Sequence, residues 1–278
     1  MTLQILVPLH TYPDGNSATI AAHASAVARH LGAEVQGLVM KATFPQISSI
    51  MGDLVIDVQG MVREATAKCE ARGQTLVQAM DTALRSANVP FRSSQMDCVL
   101  GTIGNASATH ARYFDLIVTG LSSNDASLEA TAETLIFESG RPTLLVPQDL
   151  DPSACQHVMI AWDGSQVATR AVADARDFLR LAKTVTIAVV TDEKTLPEEN
   201  PGLKLRDYLE RHSIRSSVAL VQGQRQPIGQ VLQDHALGIG ADLLVMGAFG
   251  HSRMRDFVMG GATSGILHDL KLPVLVSH

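Results

Sequence analysis

The chain has 278 residues, of which 46% are hydrophobic and 18% are charged, and its formal net charge is −6. That length exceeds one typical domain, and the composition is that of a globular protein rather than a disordered one. The acidic balance, without a basic stretch interleaved with aromatic residues, argues against nucleic acid as a partner. No apolar run is long enough to cross a membrane, and the first residues lack the basic segment of a signal peptide, so we expect a cytoplasmic protein with no membrane partner.

The first half of the sequence predicts strands and helices in alternation. Residues 4–9 form an apolar run typical of a buried strand, and residues 61–86 are predicted to form a long helix. Ahead of that helix, residues 41–60 are an insertion rich in Ile, Met and Val. We interpret this insertion as surface cover or an interface rather than a catalytic lid, because aspartates are the catalytic groups that it offers.

The second half continues the alternation. We predict strands at residues 157–161, 185–190, 217–221, 242–246 and 274–276, and helices at residues 167–182, 203–212, 228–237 and 262–270. Strands that alternate with helices form a parallel, doubly wound sheet with right-handed crossovers. Ligands of such α/β sheets bind beyond the carboxyl ends of the strands.

The two halves repeat one another. The segment Asp115-Leu-Ile-Val-Thr-Gly matches Asp242-Leu-Leu-Val-Met-Gly, and Asp14-Gly-Asn matches Asp163-Gly-Ser. We therefore predict two tandem doubly wound parallel-sheet domains with a Rossmann-like α/β/α arrangement. The predicted domains are residues 1–150 and 151–278, joined near residues 149–153.

Residues 247–263, which read GAFGHSRMRDFVMGGAT, predict a phosphate site. Gly247 and Gly250 follow a predicted strand directly, and after a spacer Gly260 and Gly261 open a short helix. Glycines let a backbone approach a ligand closely, and the free N–H groups and dipole of a helix start favour an anion. The first half has no glycine at the position equivalent to Gly250 and no later glycine pair, so its loop is expected to be degenerate.

Other kinds of site find no support in the sequence. The chain has no GxxxxGK[ST] segment and no GxGxxG turn, so it lacks the lysine of Walker-type sites and the fingerprint of dinucleotide-binding enzymes. The segment that begins at Gly250 resembles a nucleophile elbow but lacks its last glycine. The 3 cysteines and 10 histidines show no metal-ligand spacing. We therefore predict no catalytic residue and no metal ligand.

At these residues the chain resembles a tandem member of the universal stress protein family. The resemblance rests on VMIAWDGS around Asp163, on DLLVMGAFG followed by nine residues and Gly260, and on the closing LPVLV. It covers essentially the whole chain, strongly over residues 156–278 and weakly over residues 1–148. ATP-binding members of the family carry G-x-x-G, nine residues, and then a glycine followed by Ser or Thr.

The resemblance implies ATP or another adenine nucleotide as the ligand, with Mg²⁺ as a candidate companion. It implies that Asp163 and Val190, with Ala161 beside them, face the adenine and the ribose. It also implies that Gly247 lies under the ribose or the first phosphate. The implied contacts around the phosphates are Gly250, His251, Arg253, Gly260, Gly261, Ala262 and Thr263.

Several of these residues have a second interpretation. Asp163 is equally consistent with a helix cap, and His251 and Arg253 with solvated loop residues. Gly261 stands where the family has Ser or Thr, and the hydroxyl of Thr263 is a hypothetical substitute.

The leading hypothesis is a regulatory switch of the stress response, with a nucleotide in the second domain and a degenerate first domain. Two alternatives stay open. One is a slow ATPase or phosphotransferase that uses the same loop, against which the missing lysine stands. The other is an interaction module that binds no nucleotide.

The resemblance also implies how the domains assemble. Single-domain members pair through their final strands, so residues 143–146 are expected to pair with residues 274–276 inside one chain, about a pseudo-twofold axis. Short apolar strands of this kind would promote aggregation if they were left unpaired. With these strands occupied, two chains are expected to form a homodimer through the insertion at residues 41–60.

Overall fold

The computed structural model describes residues 2–44, 57–122, 125–192, 199–223, 226–248 and 261–278, in which strands and helices alternate as predicted. The first half contains β1 (Gln4–His10), α1 (Ile20–Leu31), β2 (Glu34–Thr43), α2 (Val58–Ser86), β3 (Phe91–Val99), α3 (Ile103–Ala111), β4 (Leu116–Leu121), α4 (Ala126–Glu138) and β5 (Thr143–Pro147). The second half contains β6 (His157–Ala161), α5 (Gln166–Asp174), α6 (Arg176–Leu181), β7 (Thr184–Val190), α7 (Pro201–Arg211), β8 (Ser217–Val221), α8 (Ile228–Gly238), β9 (Leu243–Gly247), α9 (Gly261–His268) and β10 (Val274–Ser277). None of these helices combines the length and apolar character needed to cross a membrane.

The strands of both halves join a single sheet in the order β3-β2-β1-β4-β5-β10-β9-β6-β7-β8. Neighbours within each half pair in parallel, whereas β5 and β10 pair antiparallel with Leu144 opposite Leu275. The doubly wound fold and the pairing of the two final strands are therefore confirmed. In each half the strand order reverses once, between β1 and β4 and between β6 and β9, which are the switch points where ligands of such folds bind.

Helices cover both faces of the sheet, and the core crosses the seam between the halves. On one face a single apolar cluster combines residues of α1 and α2 with residues of α5, α6 and α7. Leu144 and Leu275 belong to this cluster, and both are 0% exposed. On the other face the cluster under α4 continues under α8 and α9. The two halves therefore share buried apolar surface in addition to a strand pairing.

Two predicted helices differ from the observed ones. The helix expected at residues 167–182 is interrupted at Ala175, which is wholly buried and has φ −80° and ψ 2°, outside the α-helical region. The chain then re-enters a helix that lays Phe178 and Leu179 on the core. The helix expected at residues 61–86 begins at Val58, because the side chain of Asp57 accepts a hydrogen bond from the Gly60 N–H at 2.7 Å. Of the insertion at residues 41–60, residues 45–56 lie outside the described part of the chain.

Truncation of Leu275 tests whether the seam belongs to the core. We expect Leu275→Ala to lower the free energy of unfolding by about 2–5 kcal/mol, because it leaves a cavity where the two halves meet. Leu220→Ala is the matched control, since Leu220 also lies on a strand but is 73% exposed, and it should change the free energy by less than about 0.5 kcal/mol. Urea titrations followed by circular dichroism measure both. Equal losses would show that the seam contributes no core packing.

Candidate functional site

The carboxyl ends of three neighbouring strands bring several predicted site residues together. Ala161 ends β6, Val190 ends β7 and Gly247 ends β9, and β6 is hydrogen-bonded to both of the other strands. Asp163 follows β6 by two residues. Because β6 and β9 flank the switch point of the second half, these residues lie where a ligand of this fold is expected.

The turn after β6 directs the start of α5 toward this switch point. The Asp163 carboxylate accepts a hydrogen bond from the Ser165 N–H at 2.9 Å, and Gly164 between them has φ 75°. Ser165 is the residue that caps α5, since its hydroxyl oxygen accepts from the Ala168 N–H at 3.2 Å. Asp163 is therefore a turn residue and not the helix cap, and Ser165 is a capping position that the sequence pattern did not reveal.

Gly247 allows α5 to approach the end of β9 closely. A Cβ atom at this position would lie 2.5 Å from the backbone carbonyl carbon of Val167 and 2.6 Å from the backbone nitrogen of Ala168. Backbone atoms of a helix cannot move aside as a flexible side chain can, so the close packing requires glycine here. The residue therefore has a structural role at the switch point whether or not it contacts a ligand.

The side of the site beside β7 is closed by a second turn. Val190 is 9% exposed and pairs with Val221 of β8, and the Asp192 carboxylate accepts a hydrogen bond from the Gly223 N–H at 2.5 Å. Trp162 donates its indole N–H to the Pro201 carbonyl at 3.0 Å and packs against the core, as expected for a packing residue at the end of a strand. Asp192 lies two residues after the end of β7, and no sequence pattern distinguishes it from other loop aspartates.

The predicted phosphate contacts are described only in part. Gly250, His251, Arg253 and Gly260 lie outside the described residues. Gly261 and Ala262 are the first residues of α9, so the backbone N–H groups of that helix start follow the glycine motif. The side chain of Thr263 is 2% exposed.

The equivalent place in the first half is filled by polar side chains. The side chain of Gln148 lies on Gly120, the counterpart of Gly247, and would be 2.6 Å from a Cβ atom there. Its Oε1 atom accepts hydrogen bonds from the Ser17 N–H at 2.7 Å and from the Asn16 amide at 3.2 Å. Asn16 is 5% exposed and Gln148 is 2% exposed. This network closes the first switch point between β1 and β4.

A buried histidine, His10, is the last residue of β1. His10 is 2% exposed, and its Nε2 atom and the Asp125 Oδ2 atom have no hydrogen-bond partner within the described residues. Burial lowers the pKa of His10 to about 4, against the opposing effect of the Asp125 carboxylate. The first half thus holds a neutral buried imidazole at the end of its first strand.

Substitution of Gly247 tests its packing role. We expect Gly247→Ala to lower the free energy of unfolding by about 1–3 kcal/mol, because the new methyl group collides with the backbone of α5. Gly238→Ala is the control, since a Cβ atom at this helical glycine has no atom within 4 Å, and it should leave stability unchanged or raise it by up to about 1 kcal/mol. Thermal and urea unfolding without ligand separate the two. A neutral Gly247→Ala would contradict the packing role.

The buried His10 predicts a loss of stability in acid. Its pKa in the folded state lies below the ordinary value of 6.5, so the unfolded state binds the proton preferentially and stability falls as pH drops from about 6.5 to 4. The contribution of His10 to this fall is on the order of 3 kcal/mol. His10→Leu should flatten the profile of unfolding free energy against pH, whereas His212→Leu, at an exposed position, should not. Part of the fall should persist, because burial also lowers the pKa of His23 and of His30. Unchanged acid sensitivity in His10→Leu would contradict the assignment.

Comparisons with known proteins agree with this architecture. Residues 155–278 match the model of the universal stress protein family. The universal stress protein Slr1230 of Synechocystis sp. (strain ATCC 27184 / PCC 6803 / Kazusa) is 29% identical over 171 residues, and the match spans 58% of this chain and 57% of that protein. The chain therefore matches little more than half the length of this curated relative.

Solved structures show that the whole chain shares its fold with known proteins. A universal stress protein from Archaeoglobus fulgidus DSM 4304 superposes with a TM-score of 0.72 at 16% identity, over 99% of this chain and 97% of that one. A structure from Pseudomonas aeruginosa UCBPP-PA14 superposes with a TM-score of 0.55 at 15% identity, over 99% and 93% of the two chains. Residues 155–278 are therefore similar to the universal stress protein family, and the first half of the chain repeats the fold of the second.

Proposed function

We propose that the second half binds an adenine nucleotide, ATP or a close relative, and that the bound nucleotide sets a regulatory state of the chain in a stress response. The observation that carries the proposal is the switch point between β6 and β9, where a strand ending in Gly247 meets the start of α5 and leads into the glycine motif. Switch points and helix starts are places where α/β folds bind nucleotides and their phosphates.

The proposed contacts follow the order of the strands. Ala161, Asp163 and Val190 would lie on the base and ribose side, and Gly247 would lie at the ribose or the first phosphate. The phosphates would contact the glycine motif and the start of α9, through Gly250, His251, Arg253, Gly260, Gly261, Ala262 and Thr263. The described residues contain no cluster of His, Cys, Asp and Glu that could hold a metal ion, so Mg²⁺ would be carried mainly by the phosphates of the nucleotide.

One nucleotide per chain is part of the proposal. In the first half, a ligand at the switch point would displace Gln148 and break its hydrogen bonds to Ser17 and Asn16. Each buried polar group left without a partner would cost about 1–3 kcal/mol. We therefore assign residues 1–150 to a domain that binds no nucleotide and residues 151–278 to the domain that binds it.

The hydrogen bonds made by the carboxylates beside the site favour a regulatory switch over an enzyme. The Asp163 carboxylate holds its own turn, and the Asp192 carboxylate holds Gly223, so both have structural partners. The sequence also has no Walker lysine to reach the terminal phosphates. Slow hydrolysis by the same loop and a role without nucleotide remain the competing outcomes of the test.

Cytoplasmic location and a homodimer also belong to the proposal. The pairing of β5 with β10 leaves neither of these strands as an open edge. A second chain would therefore have to bind at another surface, for which the insertion at residues 41–60 is our candidate.

The two Asp-Gly turns supply a matched pair of variants for the test. Gly164 and Gly15 have similar left-handed φ values of 75° and 70°, so Asp163→Ala and Asp14→Ala change equivalent turns of the two halves. Calorimetric titration of the intact chain with ATP should give one site per chain. We expect Asp163→Ala to weaken ATP binding at least about tenfold, because the hydrogen bond between the nucleotide and the charged Asp163 carboxylate is lost. Asp14→Ala should leave the Kd unchanged.

The same experiment distinguishes the alternatives. Two sites per chain, or equal losses in the two variants, would contradict the assignment of the nucleotide to the second half. No heat of binding in the intact chain would favour the interaction module. Steady release of ADP during the titration would favour the enzyme. Thermal unfolding of each variant without nucleotide checks that the altered turn still folds.

A further inference from the structure

A cavity of about 330 Å³ lies where the two halves meet, at the carboxyl ends of β4 and β5. The opposite side of the cavity is lined by residues at the end of α8, at the end of α9 and in the segment before β10. The proposed nucleotide site lies at the carboxyl ends of β6 and β9, whereas this cavity borders the opposite end of α9. It is therefore a separate feature of the molecule.

Leucine side chains from both halves form the wall of the cavity. They are Leu121, Leu150, Leu237, Leu267 and Leu270. Leu121 and Leu267 are nearly buried, with 2% and 5% exposure, whereas Leu150 and Leu237 are 48% and 47% exposed. The cavity thus has a buried apolar floor and an apolar rim that is open to solvent. Small-molecule sites typically have volumes of about 300–1,000 Å³, apolar walls with a few polar groups, and a place between domains.

Charges around the cavity favour a cation. Lys271 lines it, but its Nζ atom lies 2.7 Å from an Asp234 carboxylate oxygen and 3.9 Å from one of Asp269, so its charge is already compensated. His268 also lines the cavity, with its Nδ1 atom 3.6 Å from a Glu129 carboxylate oxygen. Asp149 lines the cavity and has no ion-pair partner in the described part of the chain. When the ion-pair partners of Lys271 and His268 are included, carboxylates outnumber cationic groups around the cavity.

We propose that this cavity binds a small organic amine, with the hydrocarbon body against the leucines and the ammonium group paired with Asp149. An apolar body removes the leucine rim from water, which favours binding in proportion to the apolar area that is buried. A carboxylate at the mouth supplies a counter-ion that a neutral or anionic ligand of the same length could not use. This site is independent of the proposed nucleotide site.

Hexylamine and hexanoate test the proposal, because they share a chain length and differ in the sign of their charge. In the intact, nucleotide-free protein with ¹³C-labelled leucine methyl groups, hexylamine should shift the signals of Leu150, Leu237, Leu267 and Leu270 saturably. Hexanoate should bind at least about tenfold more weakly, since it places a negative charge beside Asp149. Asp149→Asn should remove most of this difference.

Two matched variants show whether the cavity itself holds the amine. Leu237→Trp fills the rim and should abolish the saturable shifts, whereas Leu181→Trp, at a helix-end leucine of similar 48% exposure outside the cavity, should leave them unchanged. Equal binding of hexanoate and hexylamine would overturn the proposal. So would shifts that spread without saturation to the exposed Leu181 and Leu220, which would indicate non-specific association.

Discussion

The antiparallel pairing of β5 with β10 is the constraint on which the rest of the structure depends. Leu144 and Leu275 face each other there with 0% exposure, and the core continues across them on both faces of the sheet. Because the two halves meet through antiparallel strands, their carboxyl ends point in opposite directions. The two switch points are therefore kept apart, and the carboxyl end of β5 is brought against the ends of α8 and α9, where the leucine-lined cavity forms.

The two halves share a frame but differ in the chemistry at the switch points. Asp115 accepts a hydrogen bond from the backbone N–H of Gln4, and Asp242 accepts one from that of His157, so these repeated aspartates hold the first strand of each half. They act at the amino ends of the strands, opposite the switch points. The part of the repeat that these aspartates form is thus structural, and the observed difference between the switch points lies in other residues, such as Gln148.

Sequence patterns predicted the features that depend on local order. Alternating apolar segments predicted the doubly wound sheet, and the short run that begins at Val274 predicted a strand. The pairing of that strand with its counterpart in the first half was implied by the family resemblance. The interruption at Ala175 was missed because the apolar spacing continues through it. The interaction of Gln148 with Ser17 was missed because the two residues are 131 positions apart, and neither residue type signals such a contact. The structural role of Asp163 could not be assigned from the sequence, because a helix cap and a turn residue both place a carboxylate beside the same backbone N–H groups.

The difference between the halves has an energetic consequence. In the first half the place beside Gly120 is filled by Gln148, a side chain whose hydrogen bonds would have to be broken before any ligand could enter. In the second half the equivalent contact on Gly247 is made by the backbone of α5, and among the described residues no hydrogen-bonded side chain covers that glycine. Since breaking a buried polar network costs free energy, the first switch point disfavours the entry of a ligand. A duplicated α/β frame can in this way keep the stability of two halves while its two switch points differ in how readily they admit a ligand.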